Sequence, residues 1–290
     1  PEKRAAYEKK YDRSVSNGQS VFKQVDREQS LVGLMRVGIL KRMESSIYSF
    51  RQTVEKILHK IEQAIESIDA KQFDYDADID ILDIDPDDAE LENQMIGKSV
   101  KVLLQDMDVI KWRQDLSADK EKLEGLLVAA REVTPLRDCK LKDLRCLIRD
   151  KIANPINLGN KKILIFTAFS DTATYLYENL VDTLEAQGIY TAIVTGSGQN
   201  KSTLPIPKAL RQQVRISDFN TVLTFFSPKS KGGKETFPEM QEEIDIMIAT
   251  DCISEGQNLQ DCDYLINYDI HWNPVRIIQR FGRIDRIGSS

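Results

Sequence analysis

The sequence predicts an α/β lobe built on a parallel sheet at residues 156–290, preceded by a mostly α-helical region at residues 1–155. Residues 163–195 alternate strand, helix and strand, which is the pattern of a parallel sheet with crossover helices. Two more apolar runs, at 244–249 and 264–268, have the length of buried strands and lead into polar loops. Before residue 155, apolar residues recur mostly with helical spacing.

Composition sets limits on the class of protein. The chain has 290 residues, enough for two domains with substantial cores. It contains no signal-peptide pattern and no apolar run of about 18 residues, so we expect a cytoplasmic protein with no membrane partner. Its four cysteines form no CxxC pair and it has only two histidines, so we predict neither a metal site nor a disulfide framework.

The net charge of −6 is unevenly distributed. Residues 71–92 hold ten acids and one base, a balance of −9, so the remaining residues together carry +3. Whole-chain charge therefore does not exclude a nucleic-acid partner. We interpret residues 71–92 as a solvated acidic loop, because they lack the central glycine and the terminal glutamate of an EF-hand.

The first half of the chain has four segments. Residues 1–25 predict a short helix and a loop, and residues 26–70 predict one long helix or two in line. Helical spacing returns after the acidic loop at 91–150, with a break at Thr134 and Pro135. This pattern is typical of a helical insertion or hairpin, which either braces the rest of the protein or contacts a partner.

The second half begins with a linker at 154–160. A strand at 163–167, a helix at 171–187 and a strand at 190–195 follow. The next loop, TGSGQNKS, is close to a phosphate loop, but Asn200 stands where that motif needs glycine, which favours an ordinary polar loop.

A helix is predicted next at 204–219, followed by an irregular insertion at 221–241. The lysines at 229–234 of this insertion either approach phosphates or are solvated.

The final helix is predicted to begin at Asn273 and Pro274, an N-cap followed by a first-turn proline. On it, Gln279, Arg283 and Arg286 are spaced i, i+4, i+7 and share one face, whereas the apolar residues can point towards a core: Ile277, Ile278 and Phe281. Paired arginines suit phosphate, because each guanidinium stays charged and grips two oxygens at once. A solvated basic face is the alternative interpretation.

Two segments carry a family resemblance. TDCISEGQNL at 250–259 and HWNP with QRFGRIDRIG at 271–288 resemble the fifth and sixth motifs of superfamily-two helicases, and the second is similar to the Snf-type DNA translocase branch. KKILIFTAFSDTATYL at 161–176 resembles the fourth motif. LMRVGILKRMESSIYSF at 34–50 resembles the segment before the second motor lobe in the bacterial RNA-polymerase-associated branch. The resemblance implies a second RecA-like helicase lobe, truncated after the sixth motif.

The same resemblance implies roles for individual residues. Arg283 and Arg286 are implied to be catalytic, reaching across a cleft to the γ-phosphate of ATP. The residues implied to bind the nucleotide are Gln279, Gly256 and Glu255. The residues implied to contact nucleic acid are Thr250, Ser170, Thr195 and Gly196. The chain departs from the broader Snf pattern at Arg280, where a small residue is usual.

The resemblance also implies cofactors and partners. ATP and Mg²⁺ would be held mainly by a first lobe, since the chain has neither a GxxxxGK[ST] loop nor a DExx-type acidic box in a suitable strand context. We therefore expect a fragment that is inactive alone, from an ATP-dependent translocase or helicase acting on double-stranded DNA. RNA polymerase, or another protein, would contact the helical region. The alternative is a non-catalytic nucleic-acid or protein-binding module.

Overall fold

The computed structural model describes residues 13–15, 20–22, 24–70, 108–196, 200–253, 257–271 and 273–284, with side chains from residue 32 onward. Packing divides the chain into two compact units, Pro1–Glu132 and Val133–Ser290. This boundary lies earlier than residue 155, where the sequence places it, because the helix that starts at Cys139 belongs to the second unit. The acidic loop predicted at 71–92 lies outside the described residues.

The first unit begins with a short antiparallel hairpin and two helices. Strands β1 (Arg13–Val15) and β2 (Ser20–Phe22) pair with each other, in a segment for which the sequence predicts a short helix and a loop. Residues 1–12 of that segment lie outside the described residues. Three-residue strands are too short to show a periodicity in the sequence. Helices α1 (Gln24–Ser45) and α2 (Ile47–Asp69) are separated at Ser46, whose backbone is extended and whose hydroxyl accepts from the Ser49 amide at 3.0 Å.

Helix α3 (Val109–Arg131) packs antiparallel to α2. Three ion pairs join the two helices, and their residue numbers rise along one helix as they fall along the other: Asp69–Arg113 at 2.6 Å, Glu62–Lys120 at 2.8 Å and Glu55–Arg131 at 3.0 Å. A small apolar core lies beneath them, with four buried members: Phe50, Val54, Leu127 and Ala130. This is the helical hairpin that the periodicity predicts.

The second unit is an α/β lobe. Its elements are α4 (Cys139–Ala153), β3 (Ile163–Phe166), α5 (Ser170–Glu185), β4 (Thr191–Val194), β5 (Lys201–Ser202), a 3₁₀ turn (Lys208–Leu210), α6 (Phe219–Phe226), α7 (Gly233–Thr236), β6 (Ile246–Ala249), β7 (Leu265–Asn267) and α8 (Pro274–Phe281). The five strands form one sheet in the order β5, β4, β6, β3, β7. All neighbours are parallel except the β4–β5 pair, which confirms the α/β class with a mostly parallel sheet.

The centre of the sheet is fully buried. Ile248 of β6 lies between Ile193 of β4 and Ile165 of β3, and the side chains of all three are at most 3% exposed. Strands covered on both faces need continuous apolar sequence, which is why the runs at 163–167 and 244–249 identified them.

The segment between β5 and β6 differs from the prediction. Before Phe219 the predicted helix at 204–219 is replaced by a 3₁₀ turn, and helix α6 lies mostly within 221–241, where an irregular insertion was expected. Asp218 caps α6 by accepting from the Thr221 amide at 2.9 Å. The apolar run of α6 contributes four buried side chains to the core: Val222, Leu223, Phe225 and Phe226.

Within the described parts of both units, no helix is long and apolar enough to cross a bilayer.

The central position of β6 leads to a prediction about the stability of variants in this strand. Ile248→Ala removes a fully buried side chain and should lower the free energy of unfolding by about 2–5 kcal/mol. Ile278→Ala on α8, where the side chain is 70% exposed, should change it by no more than about 0.5 kcal/mol. Urea unfolding followed by far-UV circular dichroism checks both, and equal effects would contradict the assignment of β6 to the sheet centre.

Candidate functional site at the carboxyl edge of the sheet

The parallel strands bring four chain segments to one edge. Thr167 follows β3, Thr195 follows β4, Thr250 follows β6, and Asp269 lies two residues beyond β7. Backbone hydrogen bonds hold these ends in register: the Thr167 amide donates to Ala249 O at 3.0 Å, and the Thr250 amide donates to Val194 O at 3.1 Å. Open α/β sheets bind ligands at this edge.

The residues predicted to contact nucleic acid lie at this edge with different exposures. Thr250 is fully buried and Thr195 is 6% exposed. Gly196 is exposed, and Ser170, the first residue of α5, is half-buried. Among the residues that the structure describes, none accepts from or donates to the Thr250 hydroxyl. Only Gly196 and Ser170 therefore offer accessible surface to a nucleic acid without movement of the lobe.

Helix α8 begins as predicted. Asn273 is its N-cap and accepts from the Val275 amide at 3.0 Å, and Pro274 occupies the first helical position. The helix ends at Phe281, however, where Gly282 caps it by donating to the carbonyls of Ile278 and Arg280. Arg283 thus lies in the following turn and not, as was predicted, on the same α-helix as Gln279, because the chain tightens after Phe281 into a turn with hydrogen bonds between residues three apart.

The core-facing side of α8 also differs from the prediction. Ile278 is 70% exposed and Phe281 is 53% exposed, although both were expected to point towards a core. The buried residue of the helix is Arg280, at 2%. The helix turns its arginine inward because carboxylates at the strand ends offer that arginine partners.

Arg280 makes a dense set of contacts. Its Nε donates to Asp251 Oδ1 at 2.7 Å and its Nη2 to Asp251 Oδ2 at 2.8 Å, a bidentate pair. Its Nη1 donates to Asn267 Oδ1 at 3.1 Å and to the Asp269 carbonyl at 3.3 Å. The guanidinium carbon lies 5.3 Å from the centre of the Phe166 ring. One side chain therefore joins α8 to segments that follow β6 and β7.

Asp269 extends this network to β3. One carboxylate oxygen accepts from the Thr167 hydroxyl at 2.5 Å, and the other accepts from the Ala168 amide at 2.8 Å. The second oxygen also lies 4.0 Å from Arg280 Nη1. Hydrogen bonds therefore connect the ends of three of the four strands, β3, β6 and β7. Asp269 and Thr167 are both buried, so this part of the network is shielded from water.

The backbone of Arg283 is held from two directions. Its amide donates to the Arg280 carbonyl at 3.1 Å, and its carbonyl accepts from the Leu259 amide at 3.1 Å. Its side chain is 8% exposed and already engaged, and Gln279 is half-buried and engaged as well. The other members of the predicted nucleotide site lie outside the described residues: Arg286, Gly256 and Glu255.

The lysine segment contacts the chain that follows the loop after β6. Asp261 accepts from the amides of Lys229 and Ser230, at 2.7 and 2.9 Å, and from the Ser230 hydroxyl. Lys231 Nζ donates to Gln257 Oε1 at 2.6 Å, and partial burial lowers the pKa of this lysine. Lys229 and Lys234 are both exposed, and Lys234 pairs with Glu243 at 3.4 Å. The segment thus supports the loop through its backbone and Lys231.

Sequence reasoning missed the network around Arg280. It included Asp251 only within the motif-like segment 250–259 and noted Arg280 only as a departure from a pattern. A signal existed, because Asp251 and Asp269 each follow an apolar run that predicts a strand, and the carboxyl ends of parallel strands lie at one edge of a sheet. In the part of the chain that the structure describes, no three acidic, cysteine or histidine side chains form a group that could hold a metal ion.

Comparison with known families decides the assignment. Residues 139–288, just over half of the chain, match the model of the helicase conserved C-terminal domain. The chain belongs to this family. The match starts at the first residue of α4 and covers the sheet and α8, so it coincides with the second unit.

Curated relatives share shorter segments with this helicase C-terminal domain. The uncharacterized ATP-dependent helicase YqhH of Bacillus subtilis is 46% identical over 59 residues, 20% of this chain and 11% of that protein. The RNA polymerase-associated protein RapA of Vibrio vulnificus is 28% identical over 111 residues, 38% of this chain and 11% of that protein. The mitochondrial ATP-dependent RNA helicase MRH4 of Kluyveromyces lactis is 23% identical over 54% of this chain and 29% of that protein. The chain thus covers between 11% and 29% of the length of these relatives.

The burial of Arg280 makes a second stability prediction for the helicase domain. Arg280→Ala leaves two carboxylates without their cation and should cost about 3–5 kcal/mol of folding free energy. Arg276→Ala, on the same helix but outside the network, should cost no more than about 0.5 kcal/mol. Chemical denaturation of the chain measures both. An exposed ion pair contributes only about 0–1 kcal/mol. A loss of that size in Arg280→Ala would therefore contradict the buried network.

Proposed function

We propose that this chain supplies the C-terminal motor lobe of an ATP-dependent DNA translocase or helicase. The lobe presents Arg283, followed by Arg286, to ATP that is bound against another lobe. Gln279, Glu255 and Gly256 line the nucleotide side of the same cleft. The observation that carries the proposal is the position of Arg283 at the carboxyl edge of a parallel sheet, with its backbone fixed on both sides.

The chemistry of an arginine at this place fits phosphoryl transfer. Charge develops on the γ-phosphoryl oxygens during hydrolysis, and a guanidinium aimed at them raises the rate by about 10³ to 10⁵ in related systems. Two backbone hydrogen bonds, one through the amide and one through the carbonyl, hold the main chain of Arg283 in place. Because its side chain is 8% exposed in the lobe alone, reaching a phosphate requires that it rotate outward when ATP closes the cleft.

The residues of the lobe fit a shared rather than a complete ATP site. The loop TGSGQNKS has Asn200 before its lysine, where a phosphate loop needs glycine, and Asn200 instead donates to the Ser217 carbonyl at 3.1 Å. We therefore assign the phosphate loop and the Mg²⁺ ligands to another lobe, with ATP supplying the phosphoryl group and Mg²⁺ neutralising its charge. Under this assignment the lobe alone does not hydrolyse ATP.

We assign the nucleic-acid contact first to Gly196 and Ser170, the two accessible residues of the predicted set. Gly196 lets a backbone approach closely, and the first turn of α5 presents amide groups that suit a phosphate. Thr195 and Thr250 are buried behind them and reach the same track only if the edge opens. Double-stranded DNA is the proposed track, by resemblance to the Snf-type branch.

The helical hairpin of the first unit is the proposed contact for a protein partner. Its α3 helix exposes Ile110 and Val128 at 76% and 63%. RNA polymerase is the proposed partner, because the RapA relatives are named for that association. The alternative function is that of a module that binds without catalysis. Such a module would still make this contact but would not hydrolyse ATP.

Arg283→Ala tests the catalytic assignment. In the full-length protein that contains this chain, we expect DNA-stimulated ATP turnover to fall by about 10³-fold or more, because the transition-state charge loses its cation. Steady-state ATPase assays measure kcat and KM, with Arg276→Ala as the matched control expected to retain wild-type turnover. Wild-type turnover in Arg283→Ala would overturn the assignment. A wild-type protein that binds its partner but hydrolyses no ATP would favour the binding module.

The track is tested with competing polymers. We expect duplex DNA to stimulate ATP turnover of the full-length protein more than single-stranded DNA or RNA of the same length does. Stimulation should fall as salt rises from 50 to 200 mM, a range over which phosphate contacts typically weaken by about 10³ or more. Stronger stimulation by RNA would contradict the DNA assignment while leaving the motor intact.

A further inference from the structure

Two contacts bracket the loop after β6. At its start, Asp251 holds the guanidinium of Arg280 through two hydrogen bonds of 2.7 and 2.8 Å. At its end, the Leu259 amide donates to the Arg283 carbonyl at 3.1 Å. The segment between these contacts includes Glu255 and Gly256, which are proposed to line the nucleotide.

Arg280 also connects directly to the turn that carries Arg283. Its carbonyl accepts from the Arg283 amide at 3.1 Å and from the Gly282 amide that caps the helix. The side chain of Arg280 points into the lobe while its carbonyl starts the turn. The same residue thus anchors its side chain in the lobe and provides the carbonyl to which the Arg283 amide is bonded.

No other cationic side chain can reproduce the hydrogen bonds that the Arg280 guanidinium makes. Asp251 is gripped by Nε and Nη2 together, while Nη1 reaches Asn267 Oδ1 and the Asp269 carbonyl in a different direction. A lysine ammonium carries the same charge but is a single point on a flexible stem, so it can satisfy one of these sites at a time. Lysine at this position would keep a cation in the lobe and lose the fixed geometry.

We propose that Arg280 is a positioning residue that sets the catalytic register of Arg283 against the loop after β6, with Asp251 as its partner. The inference rests on the proposed function of Arg283. In this role Arg280 makes no contact with ATP; its guanidinium holds the end of α8 and the start of the loop in one arrangement, so that the backbone of Arg283 is in place before ATP binds and only the Arg283 side chain has to move. An error of about 1 Å in such a position can cost on the order of 10²-fold in rate.

The test uses Arg280→Lys in the full-length protein, with Arg276→Lys as the matched control on the same helix. We expect kcat for DNA-stimulated ATP hydrolysis to fall by about tenfold or more while KM for ATP changes by less than about threefold, because only transition-state contacts are lost. Affinity for ADP with aluminium fluoride, a transition-state analogue, should fall by the same factor as kcat. Affinity for ADP alone should not change, and Arg276→Lys should match the wild type throughout.

Asp251→Asn perturbs the same pair from its other side and keeps the shape of the side chain. It should give the same split between kcat and KM, and it decides the question if Arg280→Lys fails to fold. The double variant should lose no more than the worse single variant, because residues that act as a unit are not additive.

The outcomes separate this inference from the proposed function. Reduced turnover in Arg283→Ala with wild-type kcat and wild-type analogue affinity in both Arg280→Lys and Asp251→Asn would overturn the positioning role alone. If both variants lost affinity for ADP alone by the same factor as affinity for the analogue, the pair would only support the fold, and this result would also overturn the positioning role. Wild-type turnover in Arg283→Ala would remove the catalytic role on which the inference rests.

Discussion

The arrangement of the helicase lobe depends on one buried cation. Arg280 is 2% exposed and lies among two aspartates, an asparagine and a backbone carbonyl. Taking a guanidinium out of water costs several kcal/mol, and the cost is offset only when hydrogen bonds satisfy most of its donors. The bidentate pair with Asp251 and the contacts of Nη1 meet that condition. Because the donors of a guanidinium are rigid, the positions of α8 and of the strand ends are fixed relative to one another.

This constraint explains the orientation of α8. A surface helix normally turns its apolar residues inward, yet Ile278 and Phe281 are exposed and Arg280 is inside. Removing the cation from Asp251 and Asp269 would cost about 3–5 kcal/mol, which is comparable to the about 1.5–3 kcal/mol gained by burying each of the two apolar side chains. The charge arrangement beneath α8 is therefore strong enough to compete with apolar burial in setting which face of the helix turns inward.

The sequence predicts much of this fold because the strands are simple. Runs covered on both faces must be apolar, so β3, β4 and β6 were found within two residues of their observed ends. The motif-like segments follow these strands and therefore indicated the carboxyl edge of the sheet as the candidate site. Helix α8 was extended too far, because the periodicity of side chains does not show where the last turn tightens to hydrogen bonds between residues three apart.

The role of Arg280 could not be predicted from periodicity. A charged residue next to apolar ones is normally assigned to solvent, and only the folded sheet brings Asp251 and Asp269 to the same place from 18 residues apart in the chain. The burial of Thr195 and Thr250 escaped prediction for a related reason. Their hydroxyls suggest loop residues, whereas the register of the parallel strands places them inside the edge.

The most direct test of the account is a structure of the full-length protein bound to DNA, ADP and aluminium fluoride. The account predicts that the Arg283 guanidinium lies within about 3 Å of the fluoride ligands, in place of its buried position, while the Asp251–Arg280 pair stays intact. An Arg283 side chain that remains buried in its own lobe while ATP chemistry is mimicked in the cleft would contradict it.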